Sequence, residues 1–245
     1  MTYDITQEAQ KGGVFNINKP LGWTSFAVVR SLRRAWGVRK IGHAGTLDPL
    51  ATGVLLICTQ HCTKRVSEYQ SLDKAYTAEM VLGKTTPSID LETEFINHTS
   101  WDHLTPEAVC AATQRFVGPI SQRPPAYSAI KVGGKRAYRS VRAGEIPTLP
   151  ARSITVYDFN VTQMALPHLH FELTCSKGTY VRSLVRDIGE LLGVGAFLRS
   201  LCRTRIGPYT LSSAHSLQDL LGTNIPPKDH IIGGYLAGSA SCMTE

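Results

Sequence analysis

The sequence predicts an α+β fold, a sheet protein whose helices do not alternate with its strands. Two observations carry that expectation. Segments of strand character outnumber helical ones along the chain. Their order is also irregular, which argues against the repeated βαβ units of a doubly wound sheet. Length supplies a third: 245 residues, 42% of them hydrophobic and 18% charged, suffice to bury a sizeable core without disulfides or a structural metal. No internal repeat or linker divides them.

The elements follow in order. Residues 14–18 read as a short strand ending at Lys19-Pro20. Thr24 or Ser25 caps a helix whose apolar face is Phe26, Val29, Leu32 and Trp36, with Arg30, Arg33 and Arg34 turned outward. Residues 42–52 hold two glycines and a proline and are expected to be a loop. Strands are expected at 54–58 and 76–82, the second with alternating apolar positions. Thr105-Pro106 starts a helix with proline at its first position, running to about residue 116. Residues 121–150 differ from the rest: four prolines, several glycines, and Arg123, Lys131, Lys135, Arg136, Arg139 and Arg142 opposed only by Glu145. Strands are expected at 154–163 and 169–175. The clearest helix places Val181, Leu184, Val185, Ile188, Leu191 and Leu192 at helical spacing and ends at Gly193. A last strand covers 196–205.

Lys and Arg number 26 against 19 Asp and Glu, a net charge of +7. Such a surplus favours a polyanionic partner through counterion release, without saying which. Residues 1–10 are polar, with no apolar leader, and no apolar run is long enough to cross a bilayer. The six scattered cysteines are therefore expected to be reduced thiols of a cytoplasmic protein that needs no membrane. Cys58, His61 and Cys62 form a single cluster of ligand-type residues without a second pair, so bland cysteines are expected there rather than zinc.

The densest chemical signal is Gly42-His43-Ala44-Gly45-Thr46-Leu47-Asp48-Pro49-Leu50-Ala51-Thr52-Gly53-Val54-Leu55. Glycines permit a tight backbone and close approach by a ligand. Asp48 precedes a proline and is biased to an extended conformation at the rim of the next strand. A carboxylate there can serve as nucleophile or base, although an isolated Asp-Pro is ordinarily a turn. His43, five residues earlier, invites a hydrolase reading, but no Gly-x-Ser-x-Gly elbow accompanies it.

This string resembles the active-site motif of the TruB-type tRNA pseudouridine synthases, the family that modifies uridine 55. The resemblance continues at Asn18-Lys19-Pro20-Leu21-Gly22-Trp23-Thr24-Ser25, at Lys74-Ala75-Tyr76 and at Arg123-Pro124-Pro125-Ala126-Tyr127-Ser128-Ala129-Ile130-Lys131. Gly178-Thr179-Tyr180-Val181-Arg182-Ser183-Leu184 and Leu201-Cys202-Arg203-Thr204 complete it. It covers about residues 12–215. It implies the pseudouridine synthase fold, a mixed, largely antiparallel sheet flanked by helices with a central RNA-binding cleft. A single catalytic domain would span 1–245, with 121–150 as a basic thumb that clasps RNA. Residues 222–245 would be a short tail, too short for the PUA domain that usually ends bacterial members.

The implied reaction breaks the N1–C1′ bond of uridine, turns the uracil and rejoins it through C5. It gains no electrons or groups, so no cofactor or metal is expected. The resemblance makes Asp48 the catalytic carboxylate, attacking C1′ or removing a proton from C2′. It makes Arg182 the partner that keeps Asp48 ionised and oriented. Tyr76 would stack on the flipped uracil, and Leu201 would wall the base pocket. His43 would contact the remodelled loop, and Lys19 would support the pocket or contact phosphate. Tyr180, Arg123, Lys131, Lys135 and Arg136 complete the expected RNA contacts. Thr93 stands where the family usually carries glycine, so the loop bearing Asp90 is expected to differ in shape, and Asp90 is left outside the site. The implied partner is the T arm of tRNA, bound by a monomer with no obligatory protein partner. Two rival readings are an RNA chaperone that opens the tRNA elbow, a role that can coexist with catalysis, and a guide-RNA-dependent relative.

Overall fold

In the computed structural model, which describes residues 4–128, 130–132, 134–145 and 147–222, with the side chains at 131, 132, 135, 136, 138, 139 and 142 outside that description, the chain opens with α1 (Ile5–Lys11). The Asp4 carboxylate caps it by accepting from the amides of Thr6 and Gln7. β1 (Val14–Lys19) leads to α2 (Ser25–Trp36), whose cap is Thr24, its hydroxyl accepting from the Ala27 amide. β2 (Ile41–Ala44) and β3 (Ala51–Thr59) flank the segment carrying Asp48. A 3-10 turn (Gln60–Arg65) and α3 (Val66–Ser71) connect to β4 (Lys74–Leu82). The short pair β5 (Lys84–Thr85) and β6 (Asn97–His98) precedes α4 (Pro106–Gln114) and β7 (Gly118–Gln122). A small hairpin, β8 (Lys131–Val132) with β9 (Lys135–Arg136), runs into α5 (Ala137–Arg142). Then follow β10 (Arg152–Ala165), β11 (His168–Cys175), α6 (Val181–Leu191) and β12 (Ala196–Ile206). β13 (Tyr209–Thr210), β14 (His215–Ser216) and α7 (Leu217–Leu221) close the described chain.

Among the described residues ten strands make one sheet, ordered β14-β1-β3-β12-β4-β11-β10-β7, with β2 on β3 and β13 on β12. Only β1/β14 and β3/β12 are parallel. The expected mixed, largely antiparallel sheet is the observed one. Three apolar cores surround it. One packs α4 and α6 against β4, β10, β11 and β12; a second packs α1, α2 and α7 against β1 and β3; a third lies between β3, β2 and α3.

The parallel seam of β3 and β12 joins the two halves of the sheet. It pairs Ala51 with Leu201, Thr52 with Cys202 and Gly53 with Arg203. Gly53 has φ +98°, and a Cβ there would lie 2.3 Å from the Arg203 carbonyl oxygen. Only glycine lets the two backbones approach this closely.

Several expectations need correction. Residues 42–52 are not all loop, because Ile41 and Ala44 are buried and β2 satisfies its backbone by pairing with β3. Phe26 is 68% exposed rather than core; Val28 takes the inward position beside Val29, Leu32 and Trp36. Leu191 is exposed as well, so the buried stripe of α6 ends near Ile188. From residue 223 onward the expected tail lies outside the described residues.

Candidate active site

Asp48 sits on a loop fastened from two sides. The first side is the 19–25 segment. The Ser25 hydroxyl accepts from the Leu47 amide at 2.9 Å and donates to the Leu47 carbonyl at 3.0 Å. The Gly22 amide donates to the Pro49 carbonyl at 2.9 Å. Lys19, fully buried, donates from Nζ to the carbonyls of Trp23 (2.6 Å), Pro20 (3.0 Å) and Pro49 (3.3 Å). Burial pushes its ammonium down to about 7, against the attraction of Asp48 and with the help of Arg203. The second side is Arg203 on β12, whose guanidinium donates to the carbonyls of Val54 (2.7 Å), Gly45 (3.1 Å) and Thr46 (3.5 Å). The glycines and prolines of the motif thus form a loop because buried cations from elsewhere receive its carbonyls.

Arg182, in the first turn of α6, is only 3% exposed, and its Nη2 lies 2.9 Å from Asp48 Oδ2. The same guanidinium donates to the carbonyls of Tyr127 and Ser88, each at 2.8 Å. Its Nε stands 3.8 Å from Asp90 Oδ2, an ion-pair separation rather than a hydrogen bond. Burial works to lower the Arg182 guanidinium, but Asp48 and Asp90 outweigh it, and the net direction is upward. Asp48 itself is partly open, its side chain 36% exposed. A fixed, buried cation therefore faces a solvent-accessible carboxylate. Asp48, Asp90, Arg182, Arg199 and Leu201 line one open cleft.

The structure brings Asp48, Arg182 and Leu201 together there. Tyr76 is buried on β4, opposite Arg203, and does not line the cleft. Burial pushes its phenol up to about 12, while the Arg203 guanidinium pulls the other way. Lys19 lies beneath the Asp48 loop instead of on the surface. His43 is half-buried on β2 opposite Ile57. Tyr180 precedes α6; the Arg152 guanidinium lies 4.7 Å from its ring centre, and the Gln122 side chain pairs with its backbone N–H and C=O. Arg123 is exposed, and its carbonyl is anchored to α6 by Ser183 and Arg186. Lys131, Lys135 and Arg136 lie on the β8–β9 hairpin, their side chains outside the described set.

Asp90 is a cleft residue that sequence reasoning missed. It is buried and belongs to the lining; burial raises its carboxyl and Arg182 opposes that. The threonine at 93 builds the loop in another way. Its Oγ1 accepts from the Ser88 amide at 3.0 Å and shares a 2.8 Å hydrogen bond with the Ser88 hydroxyl. The hydroxyls of Ser88 and Thr86 in turn donate to the Asp90 carbonyl. A run of Thr, Ser and Thr around an Asp was the available signal. Arg203 was also missed as a support of the loop, although it lies in a motif already noted.

This architecture is the pseudouridine synthase fold. A chain of a structure titled "Crystal Structure of a Cbf5-Nop10-Gar1 Complex" superposes with a TM-score of 0.69 at 30% identity, covering 90% of this chain and 56% of that one. Another, from "Structure of H/ACA RNP bound to a substrate RNA containing 2'-deoxyuridine", gives 0.66 at 28% identity with the same coverage. This chain thus spans little more than half the length of those solved chains.

The chain belongs to the TruB family of pseudouridylate synthases. Residues 33–181 match the family described as "TruB family pseudouridylate synthase (N terminal domain)", and residues 182–236 match "tRNA pseudouridylate synthase B C-terminal domain". Relatives named tRNA pseudouridine synthase B include one from Phocaeicola vulgatus, 49% identical over 215 residues (85% of this chain, 92% of that one). Another, from Thermobifida fusca, is 45% identical over 216 residues (85% and 74%).

Proposed function

We propose that this chain isomerises uridine 55 in the T loop of tRNA to pseudouridine, with Asp48 as the catalytic carboxylate. The observation that carries the reading is the partly exposed Asp48 carboxylate held 2.9 Å from a buried arginine at the wall of an open cleft. Arg182 stays cationic in that setting, so it fixes one oxygen of the Asp48 carboxylate and leaves the other to react. The target nucleotide flips into the cleft. Asp48 then either bonds to C1′ as the N1–C1′ bond breaks, or removes a proton from C2′ to leave a glycal. The freed uracil turns and bonds to C1′ through C5 as the Asp48–C1′ bond breaks or, on the glycal route, as C2′ takes back its proton; C5 loses its proton and N1 gains one. Composition and oxidation level are unchanged, so the reaction calls for no redox partner.

Leu201 supplies the apolar wall against the base. Tyr76, buried behind the cleft, stacks on it only once the entering nucleotide uncovers the ring, and its hydroxyl is neutral, since burial keeps the phenol protonated up to about 12. Lys19 and Arg203 act on the Asp48 loop rather than on RNA. His43, Tyr180 and the 121–150 thumb with Arg123, Lys131, Lys135 and Arg136 contact the T arm. The enzyme works as a cytoplasmic monomer without a protein partner.

Asp48→Asn tests the assignment. The amide keeps the shape but neither attacks nor takes a proton, so turnover on an unmodified tRNA transcript falls below detection while affinity stays within about threefold. Nucleotide-resolution pseudouridine mapping and filter binding read the two quantities. Multiple turnover by the purified variant would sink the role of Asp48.

A further inference from the structure

Arg199 lines the same cleft, and the proposed chemistry does not use it. It stands where the β12–β4 register slips between Leu198 and Ser200, a bulge that leaves Ser200 opposite Glu79. Bulges re-aim a side chain out of the regular alternation. The Arg199 side chain is half exposed, and its Nη1 donates to Glu79 Oε1 at 3.0 Å. The same carboxylate oxygen lies 2.7 Å from Nδ1 of His168. Glu79 is itself buried, and a buried carboxylate needs such partners to remain there. The guanidinium is therefore tethered from below. Among the described residues its Nε and Nη2 make no hydrogen bond, which leaves much of the donor fork unused.

The charges of the cleft show what that fork is for. Asp48 and Asp90 bring two carboxylates, and Arg182 is buried between them, its Nη1 engaged by Ser88 and its Nη2 by Tyr127 and Asp48. A nucleotide entering this cleft carries its own phosphates toward those carboxylates. Arg199 is the cation of the lining that remains exposed. We propose that Arg199 binds a backbone phosphodiester beside the nucleotide delivered to Asp48, and that Glu79 is the positioning residue that aims it. This rests on the RNA-modifying reading above.

The test uses the full chain and an unmodified tRNA transcript, with KM from pseudouridine formation and Kd measured over a series of salt concentrations. Losing one phosphate contact reduces the slope of log affinity against log salt by about one. Arg199→Ala is expected to show that reduction, with KM raised roughly three- to tenfold. Arg115→Ala, an exposed arginine at the end of α4, serves as control and changes neither. Glu79→Gln gives a test of sign. If net charge alone governs binding, removing a carboxylate tightens it; if Glu79 aims Arg199, binding weakens by about threefold while the thermal midpoint reports an intact fold. An unchanged salt slope for Arg199→Ala, or tighter binding by Glu79→Gln, overturns the proposal. A wild-type chain that converts no uridine overturns the RNA-modifying reading instead, so the two failures are distinguishable.

Discussion

Lys19 carries an ammonium into a place without solvent, where three backbone carbonyls receive it. Carbonyls restore only part of the lost hydration, so burial outweighs the pull of Asp48 and the group titrates at about 7 in the folded chain. Its ordinary value is 10.5. Between those values the unfolded chain binds more protons than the folded one, so stability rises with pH across that window. Below about 7 the full penalty of the buried charge is present; above it the penalty is progressively relieved. Lys19→Met has no such proton. The stability of wild type relative to this variant should therefore improve between pH 6 and pH 9, by an amount on the order of 2 kcal/mol. Denaturant unfolding of both proteins at the two pH values measures it, and a constant difference would place the titration of Lys19 elsewhere. This behaviour was not legible in the sequence. A lysine before a turn proline reads as a surface residue, and one of the carbonyls that hold it, that of Pro49, comes from thirty positions away.

The β3–β12 seam makes an equally definite demand at the level of elements. Gly53→Ala would combine φ +98° with a Cβ 2.3 Å from a backbone oxygen that cannot swing aside. The expected loss is about 3 kcal/mol or more, read as a lowered thermal midpoint together with lowered activity, since Arg203 on the same seam holds the Asp48 loop. A midpoint within about 2 °C of wild type would mean that the seam yields. The strands themselves were largely legible, because β4, β10, β11 and β12 carry their apolar residues in runs or alternation. Helices were harder. Along α2 the buried set is Ser25, Val28, Val29, Leu32 and Trp36, so a small serine that pins Leu47 holds an inward place and Phe26 an outward one. Hydrophobicity alone could not rank those two. That Asp48, Arg182 and Leu201 would share one cleft was legible because each lies in a contiguous motif. Asp90 was obscured because a threonine hydroxyl at 93 does the shaping expected of a glycine.

On the scale of the molecule, the described residues between 123 and 145 include a short hairpin and a helix, and the carbonyls of Arg123 and Tyr127 are held by α6, the helix that supplies Arg182. Replacing Lys135, Arg136 and Arg139 together by alanine should weaken tRNA binding and lower the salt slope by up to about three. An unchanged slope would assign those charges to solubility alone. The Asp48–Arg182 ion pair also joins two parts of the fold. Asp48 follows from β2 in the part that contains α1, α2 and α7, whereas Arg182 belongs to α6 in the other part. The core of α1, α2 and α7 is completed by distant sequence, because β14 pairs with β1 (Ile17 beside His215) and Leu217 of α7 fills the space among its early residues. Chain segments roughly 200 residues apart must meet to close it. In synthesis from the N-terminus, that core therefore waits for residues 215–221, which pair with β1 and pack among its earliest residues.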